Sequence, residues 1–584
     1  MSTTRTTLLS LALLFLTLPL LAQPPTPPER PELRGMWVDG FNDGFKTPQQ
    51  CDTLLARLRA AHCNAVFAQM RKRADAYYRS HYEGWAQDDP SHFDALQYLC
   101  DKGHAKGKPR IQIHAWINAC AVGGNASAGA LTKLHPEWLS LSDTGADFDT
   151  EATKIDPGNP AGADWTYRVY MDVVRQYPVD GIHLDFIRYG GNSKNVGHWG
   201  YNAVSVARYN SRYGTTGSPA WNDPRWSAWR REQVTALVRR VAIGAQALKP
   251  KIVVSAATIC WGKAPESDTD YEATSASYTE VFAPWRDWMR EGLLDLNCPM
   301  TYFNRPKAGE KWAGWTEFAK NHQYSRQSTL AVGLYLNTVP DSVSMLREAR
   351  LPTASGNRAA GVVMYCYDTM RGEKGQEIEG DITLLAALPN VYTHDVLPPS
   401  MPWKTAPTTG ALRGNLLSGD ELIPADGASV TAERIGGGVT RKALSDGNGT
   451  FGFVGLPPGS YRVTANFADH EEKLGVRVLP GHVSQVTVML PGKNASVARV
   501  TGIGSRAEGT AVVLGAVLVT SGSDPVHGSF YAADGYGQPV IRTEAPNLVP
   551  PAVAGDRVMI SGTLRHTPGG VVLKADAVRL VGME

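Results

Sequence analysis

The sequence predicts an α/β chain: a (β/α)8 TIM barrel followed by two small all-β domains. Three observations carry this expectation. Residues 33–370 repeat one pattern eight times, a short apolar run, a polar loop and a helical segment. No Gly-rich phosphate loop follows the first run, which counts against an open dinucleotide-binding sheet. After a Pro/Thr-rich break at 397–410 the pattern changes to short alternating strands separated by turns.

The apolar runs fall at 33–38, 64–70, 110–117, 179–189, 251–259, 294–302, 329–336 and 360–367. Helices are expected at 48–61, 93–106, 163–177 and 226–248. The fourth run, Val179-Asp180-Gly181-Ile182-His183-Leu184-Asp185-Phe186-Ile187-Arg188-Tyr189, is nearly continuous in apolar residues, as a strand covered on both faces should be. It ends by presenting Asp185, and a charged Asp in such a run needs a partner or a task. The C-terminal ends of barrel strands are where the chemistry sits.

The flanks set the domain boundaries. Arg5, the apolar run 8–21, Ala22 and a Pro-rich exit read as a signal peptide over 1–22 and a linker over 23–31. That apolar run is short for a membrane span, so no stable membrane insertion is expected after cleavage, and a secreted or periplasmic location is. The barrel takes 32–396, a linker 397–410, and the β-domains 411–491 and 492–584. A net charge of +2 gives no basic field that would suit nucleic acid. Fifteen Trp and twenty-two Tyr supply flat faces of the kind that suit sugar rings. The seven Cys form no CxxC pair and several fall in apolar runs, which favours small buried thiols over a disulfide framework or a zinc ribbon.

Separated motifs carry a more specific resemblance. They are Glu32-Leu33-Arg34-Gly35-Met36-Trp37-Val38, Asn64-Ala65-Val66-Phe67-Ala68-Gln69-Met70-Arg71, Ser80-His81-Tyr82-Glu83-Gly84-Trp85, His114-Ala115-Trp116-Ile117-Asn118, the fourth run itself, and Pro299-Met300-Thr301-Tyr302. Together they resemble glycosyl-hydrolase-like family 10, the family of divisome-localised peptidoglycan glycosidases. Arg71 is followed by Lys72 where that family usually has proline. The resemblance implies a barrel glycosidase acting on a bacterial polysaccharide, with peptidoglycan glycan strands as the substrate. Residues 445–461 resemble the carboxypeptidase-regulatory-like β-sandwich, which brings no catalytic residue, and 492–584 looks like an OB-type barrel.

Glycoside hydrolysis needs two carboxyl groups flanking the bond. Asp185 is the expected nucleophile, held ionised by Arg188 or His183. Glu83, between Tyr82 and Trp85, is the expected proton donor if an apolar setting raises its pKa. Asp368, after the eighth run, is the alternative at the rim. Glu266, Asp268 and Asp270 are expected to be solvated loop charges, and Asp156 to cap a turn. Substrate-binding side chains are expected at strand ends: Trp37, Asp39, Gln69, Arg71, His114, Trp116, Asn118, His183, Arg188, Tyr302, Asn304 and Tyr335, with Asn337 nearby. His114, His183 and Asp185 are metal-ligating types, but their places on separate strands fix no common site, so neither a metal nor another cofactor is expected. The sequence also admits a non-catalytic carbohydrate-binding barrel and, less readily, a metal-assisted deacetylase. Oligomeric state is not legible.

Overall fold

The computed structural model describes residues 30–124, 129–191, 196–367, 381–419, 421–490, 496–524, 526–535 and 539–583. The expected signal peptide and Asp368 lie outside them. Eight parallel strands close into a barrel: β1 Leu33–Val38, β2 Ala65–Arg71, β3 Gln112–Asn118, β4 Gly181–Asp185, β5 Val253–Thr258, β6 Leu296–Pro299, β7 Gln327–Gly333 and β8 Gly361–Tyr365. Each strand pairs with its sequence neighbours, and β1 closes the ring against β8. The strand ends fall within four residues of the ends of the expected apolar runs.

Strand alternation sorts the side chains. On β3, His114, Trp116 and Asn118 share one face; in register beside them on β4 stand Gly181, His183 and Asp185. Depth then separates them into layers. His114 stacks on Phe67 with ring centroids 4.4 Å apart, deep in the barrel. A Cβ on Gly181 would meet His114 Nδ1 at 2.3 Å, so only glycine leaves the imidazole its place. One level higher, Trp37 donates its indole N–H to His183 Nε2 at 3.0 Å. His183 Nδ1 therefore carries the proton and meets Ser255 Oγ at 2.9 Å. Burial holds both imidazoles neutral: the pKa of His114 is pushed down to about 4, and that of His183 falls well below the ordinary histidine value. Asn118 and Asp185 occupy the top layer, at the mouth.

The N-terminal end of β1 is closed by a buried ionic cluster. Glu32 accepts from Arg34 Nε at 2.9 Å and from Arg350 Nε at 3.1 Å, which ties the first strand to the chain just after the helix Val339–Ala349. All seven Cys are buried, and among the described residues no disulfide forms.

Gly410–Ser418, Ile423–Pro424, Thr450–Leu456 and Val483–Leu490 form one sheet of a sandwich. Ser429–Arg434, Thr440–Leu444, Gly459–Phe467 and His470–Val478 form the other, over a common apolar core. In the last domain Ala511–Ser521, Ser529–Ala533, Val540–Glu544, Gly570–Met583 and Asp556–Thr567 pair in that order, and the last returns to the first. A closed five-stranded ring in the order 1-2-3-5-4 is the OB arrangement. Both β-domains dock on helices flanking β4. Arg208, in the helix Ala203–Tyr213, makes a bidentate pair with Asp426, at 2.7 Å on both arms. Arg168 and Arg175, in Pro160–Gln176, meet the buried Asp556 at 3.3 and 3.1 Å. The 397–410 segment is pinned rather than free: Trp403 and Lys404 both reach Asp295, at 2.7 and 2.9 Å.

Removing Glu32 would take a buried carboxylate away from two buried guanidinium groups. Glu32→Ala is expected to cost about 3–5 kcal/mol of stability in denaturant titration. A loss under about 1 kcal/mol would show that this cluster does not brace the barrel.

Candidate active site

A cavity of about 550 Å³ opens at the C-terminal ends of the strands. Its wall is aromatic. Tyr302 stacks on Tyr365 at 4.6 Å, and Trp37 meets both edge-on at 6.0 Å. Tyr335 and Trp116 complete the wall, at 5.9 and 6.4 Å from Tyr365. At its base, Gln69 accepts from the Gly40 N–H at 2.9 Å and donates to Asn118 Oδ1 at 3.2 Å. Asn118 in turn donates to the Lys72 carbonyl at 2.8 Å, so neither amide is free to swing.

Asp185 stands in this cavity at the end of β4. Its Oδ1 accepts from the Phe186 main-chain N–H at 2.7 Å and its Oδ2 from the Trp116 indole at 3.0 Å. Burial outweighs these two bonds and the Arg188 charge, and pushes the carboxyl pKa up to about 6. Nearby Glu151 acts in the same upward sense. The expected ion-pair partners are engaged elsewhere: Arg188 pairs with Glu151 at 2.8 Å, and His183 faces Trp37 and Ser255. Burial thus raises the Asp185 pKa, and neither Arg188 nor His183 forms the direct pair that was expected to hold it ionised.

Glu151 lines the same cavity from the long loop between β3 and β4. Its loop is anchored by the buried pair Asp149–Lys154, with Asp149 also capping the Glu151 and Ala152 N–H groups at 3.1 and 3.0 Å. Both carboxyl-bearing turns contain a non-glycine residue in the left-handed region, Phe186 at φ 48° after Asp185 and Thr150 at φ 80° before Glu151. Strain of this kind persists where surrounding structure over-determines the backbone, and it clusters at functional sites. Asp39 also lines the cavity, but its Oδ1 accepts from the Phe41 and Asn42 main-chain N–H groups, both at 2.9 Å, and from the Asn42 side chain. It caps a turn.

Nine of the sequence-predicted site residues line the cavity: Trp37, Asp39, Gln69, Trp116, Asn118, Asp185, Arg188, Tyr302 and Tyr335. Others do not. Glu83 is sealed in a bidentate pair with Arg71, at 2.6–2.9 Å, and accepts the Trp165 indole N–H at 3.2 Å. Neither Glu83 nor Arg71 lines the cavity; the pair braces the end of β2 against the helix Pro160–Gln176. The expectation of Glu83 as proton donor is corrected accordingly. His114 and His183 belong to the layers beneath the mouth. Asn304 caps the helix Arg305–Asn321 and bonds Leu336, and Asn337 holds the same turn. Asp156 is wholly buried and accepts from Gly158 N–H at 2.7 Å, as a turn cap should. Among the described residues no group of three metal-ligating side chains converges. Glu151, Arg73, Trp261 and Tyr365 line the cavity and were not expected. For Glu151 the available signal was the length of its loop, since long loops in compact domains are usually functional.

A glycosyl hydrolase-like 10 family model matches residues 32–348, more than half of the chain. The chain belongs to the glycosyl hydrolase-like 10 family. Residues 411–491 match the carboxypeptidase regulatory-like domain. Two similar proteins are glycosyl hydrolase DigH of Escherichia coli K12 and glycosyl hydrolase YngK of Bacillus subtilis. They are 25% identical over 295 residues and 24% over 299. The matches cover 46% and 47% of this chain, and 61% and 54% of those proteins. Among solved structures, the α-L-fucosidase isoenzyme 2 of Paenibacillus thiaminolyticus shows 14% identity and a TM-score of 0.42, over 66% of this chain and 52% of that one. Likeness at that level carries no functional argument.

A carboxyl whose folded pKa lies above its unfolded value favours the fold only while protonated. Asp185 therefore penalises the folded state increasingly as pH rises from about 4 through about 6. Asp185→Asn should be more stable than wild type at pH 7.5 by about 1–3 kcal/mol, with the gap closing toward pH 4. A gap independent of pH, read from thermal melts across that range, would contradict the raised pKa.

Proposed function

We propose that the protein is a secreted or periplasmic glycoside hydrolase that cleaves O-glycosyl bonds of a bacterial polysaccharide. Peptidoglycan glycan strands are the substrate that the family resemblance suggests. The observation that carries this reading is Asp185: a carboxyl with pKa raised to about 6, desolvated at the mouth of an aromatic-walled cavity that also holds Glu151.

The chemistry follows from the two environments. A sugar ring lies against the Trp and Tyr faces, whose indole and phenol groups combine apolar area with donors. Asp185 gives its proton to the glycosidic oxygen as that bond breaks. Glu151, the second carboxyl on the cavity, attacks the anomeric carbon directly or through a water molecule, and Asp185 takes up a proton when a covalent intermediate is hydrolysed. Arg188, stacked between Phe186 at 4.6 Å and Trp261 at 5.3 Å, holds Glu151 in place. None of the described residues that line the cavity comes from the β-domains, which fits a role for them in attachment or spacing. The apolar N-terminal run supports export.

The test is reducing-end release from denuded peptidoglycan and a panel of α- and β-glucans. Asp185→Asn and Glu151→Gln should each lower kcat by about 10²- to 10⁴-fold while glycan pull-down persists. Wild-type kcat/KM should fall tenfold per pH unit above about 6, as the acid loses its proton. Binding without release by wild type on every polymer would favour a non-catalytic carbohydrate-binding barrel.

A further inference from the structure

The cations on the cavity differ in one respect. Lys72 Nζ pairs with Asp88 at 2.8 Å, and Arg188 pairs with Glu151 at 2.8 Å. Just behind them, Lys154 pairs with Asp149. Arg73 lines the cavity too, and among the described residues its guanidinium makes no ion pair or hydrogen bond; only its main-chain N–H is used, by Asp75 at 2.8 Å.

Arg73 is nevertheless held. Its guanidinium lies over the Phe41 ring at 5.1 Å, and Phe41 itself lines the cavity, 54% exposed. The guanidinium also lies close to Gly124, where an added Cβ would come within 2.6 Å of the guanidinium carbon. Any residue other than glycine there would displace the side chain. Stacking and van der Waals contact therefore fix the planar group without consuming its N–H donors. A half-buried guanidinium with its fork free is pre-organised for a planar bidentate acceptor. Neutral sugar hydroxyls do not supply the compensating charge; a carboxylate does.

The geometry points to Arg73, held beside Phe41 and Gly124, as the residue that recognises a carboxylate carried by the sugar substrate. This rests on the glycosidase reading of the cavity and narrows it to acidic glycans. A lactyl ether on an amino sugar and a uronic acid carry the same group, and the two are separable by experiment.

Binding is measured by calorimetry in the Asp185→Asn background, so that turnover does not intervene. The ligands are denuded peptidoglycan strands, the same strands after carboxyl reduction, and a polyuronate oligosaccharide. Carboxyl reduction should weaken binding about ten- to hundredfold, the range of a charge-assisted pair. Adding Arg73→Ala should weaken binding of the native strands by a similar factor and leave sensitivity to reduction within about twofold. Arg73→Lys, which keeps the charge and loses the fork, should fall between and guards against a folding defect in the alanine variant. Preference for native strands or for polyuronate identifies which carboxylate is read. The assignment is overturned if the Arg73 variants remain as sensitive to carboxyl reduction as the parent, or if the parent binds none of the acidic glycans. Carboxylate-dependent binding with no bond cleavage by wild type on any of the three would sink the glycosidase reading and leave the role of Arg73 standing.

Discussion

The constraint on which the rest of the site depends is the desolvation of one carboxyl group. Asp185 sits where the ring of strands ends, with a tryptophan indole on one oxygen and its own following N–H on the other. Two neutral donors are too few to hold a buried carboxylate charged without strain on its pKa. Salt-bridging it directly would have cost it any ability to exchange a proton near neutral pH. Arg188 is close enough to act electrostatically but spends its hydrogen bond on Glu151. One cation thus holds the second carboxyl in an ion pair and leaves the first without one.

The barrel beneath is built to keep that mouth rigid. Layers of inward-facing side chains, His114 on Phe67 and then His183 under Trp37, fill the ring from below. Because burial holds each imidazole neutral, the floor brings no competing charge into the cavity. The Arg71–Glu83 pair does comparable work outside the ring, locking the strand-two loop against the helix that precedes β4. That helix also receives Asp556 of the last domain, and the β-sandwich clamps the helix Ala203–Tyr213 that follows β4. The appended domains thus brace the same sector of the barrel that presents Asp185.

Much of this was legible in the sequence. The eight apolar runs locate the eight strands because parallel strands buried on both faces must be apolar almost throughout. Period-two alternation also picks out the inward-facing residues, including Asp185, Trp116 and Gln69. What alternation does not encode is depth: His114 and Asn118 have the same parity on β3 and stand at opposite ends of the barrel's interior. Nor does local sequence encode the partner of a charge. Glu83 sits among aromatics and looks like a carboxyl with a raised pKa, but Arg71, twelve residues earlier, neutralises it. Glu151 was invisible for the opposite reason: it lies on an irregular excursion with no periodicity, and only closure of the fold brings it against Arg188. Arg73 likewise reads as one more loop charge until Phe41 and Gly124 are seen to lie beside it.

Burial makes Asp185 hold its proton to higher pH than an ordinary aspartate. The most direct measurement is the carboxyl stretch of Asp185 followed by infrared difference spectroscopy across a pH titration, with Asp185→Asn to assign the band. A protonated band that disappears with a midpoint near pH 6 is expected. A midpoint near the ordinary aspartate value of about 4 would contradict it.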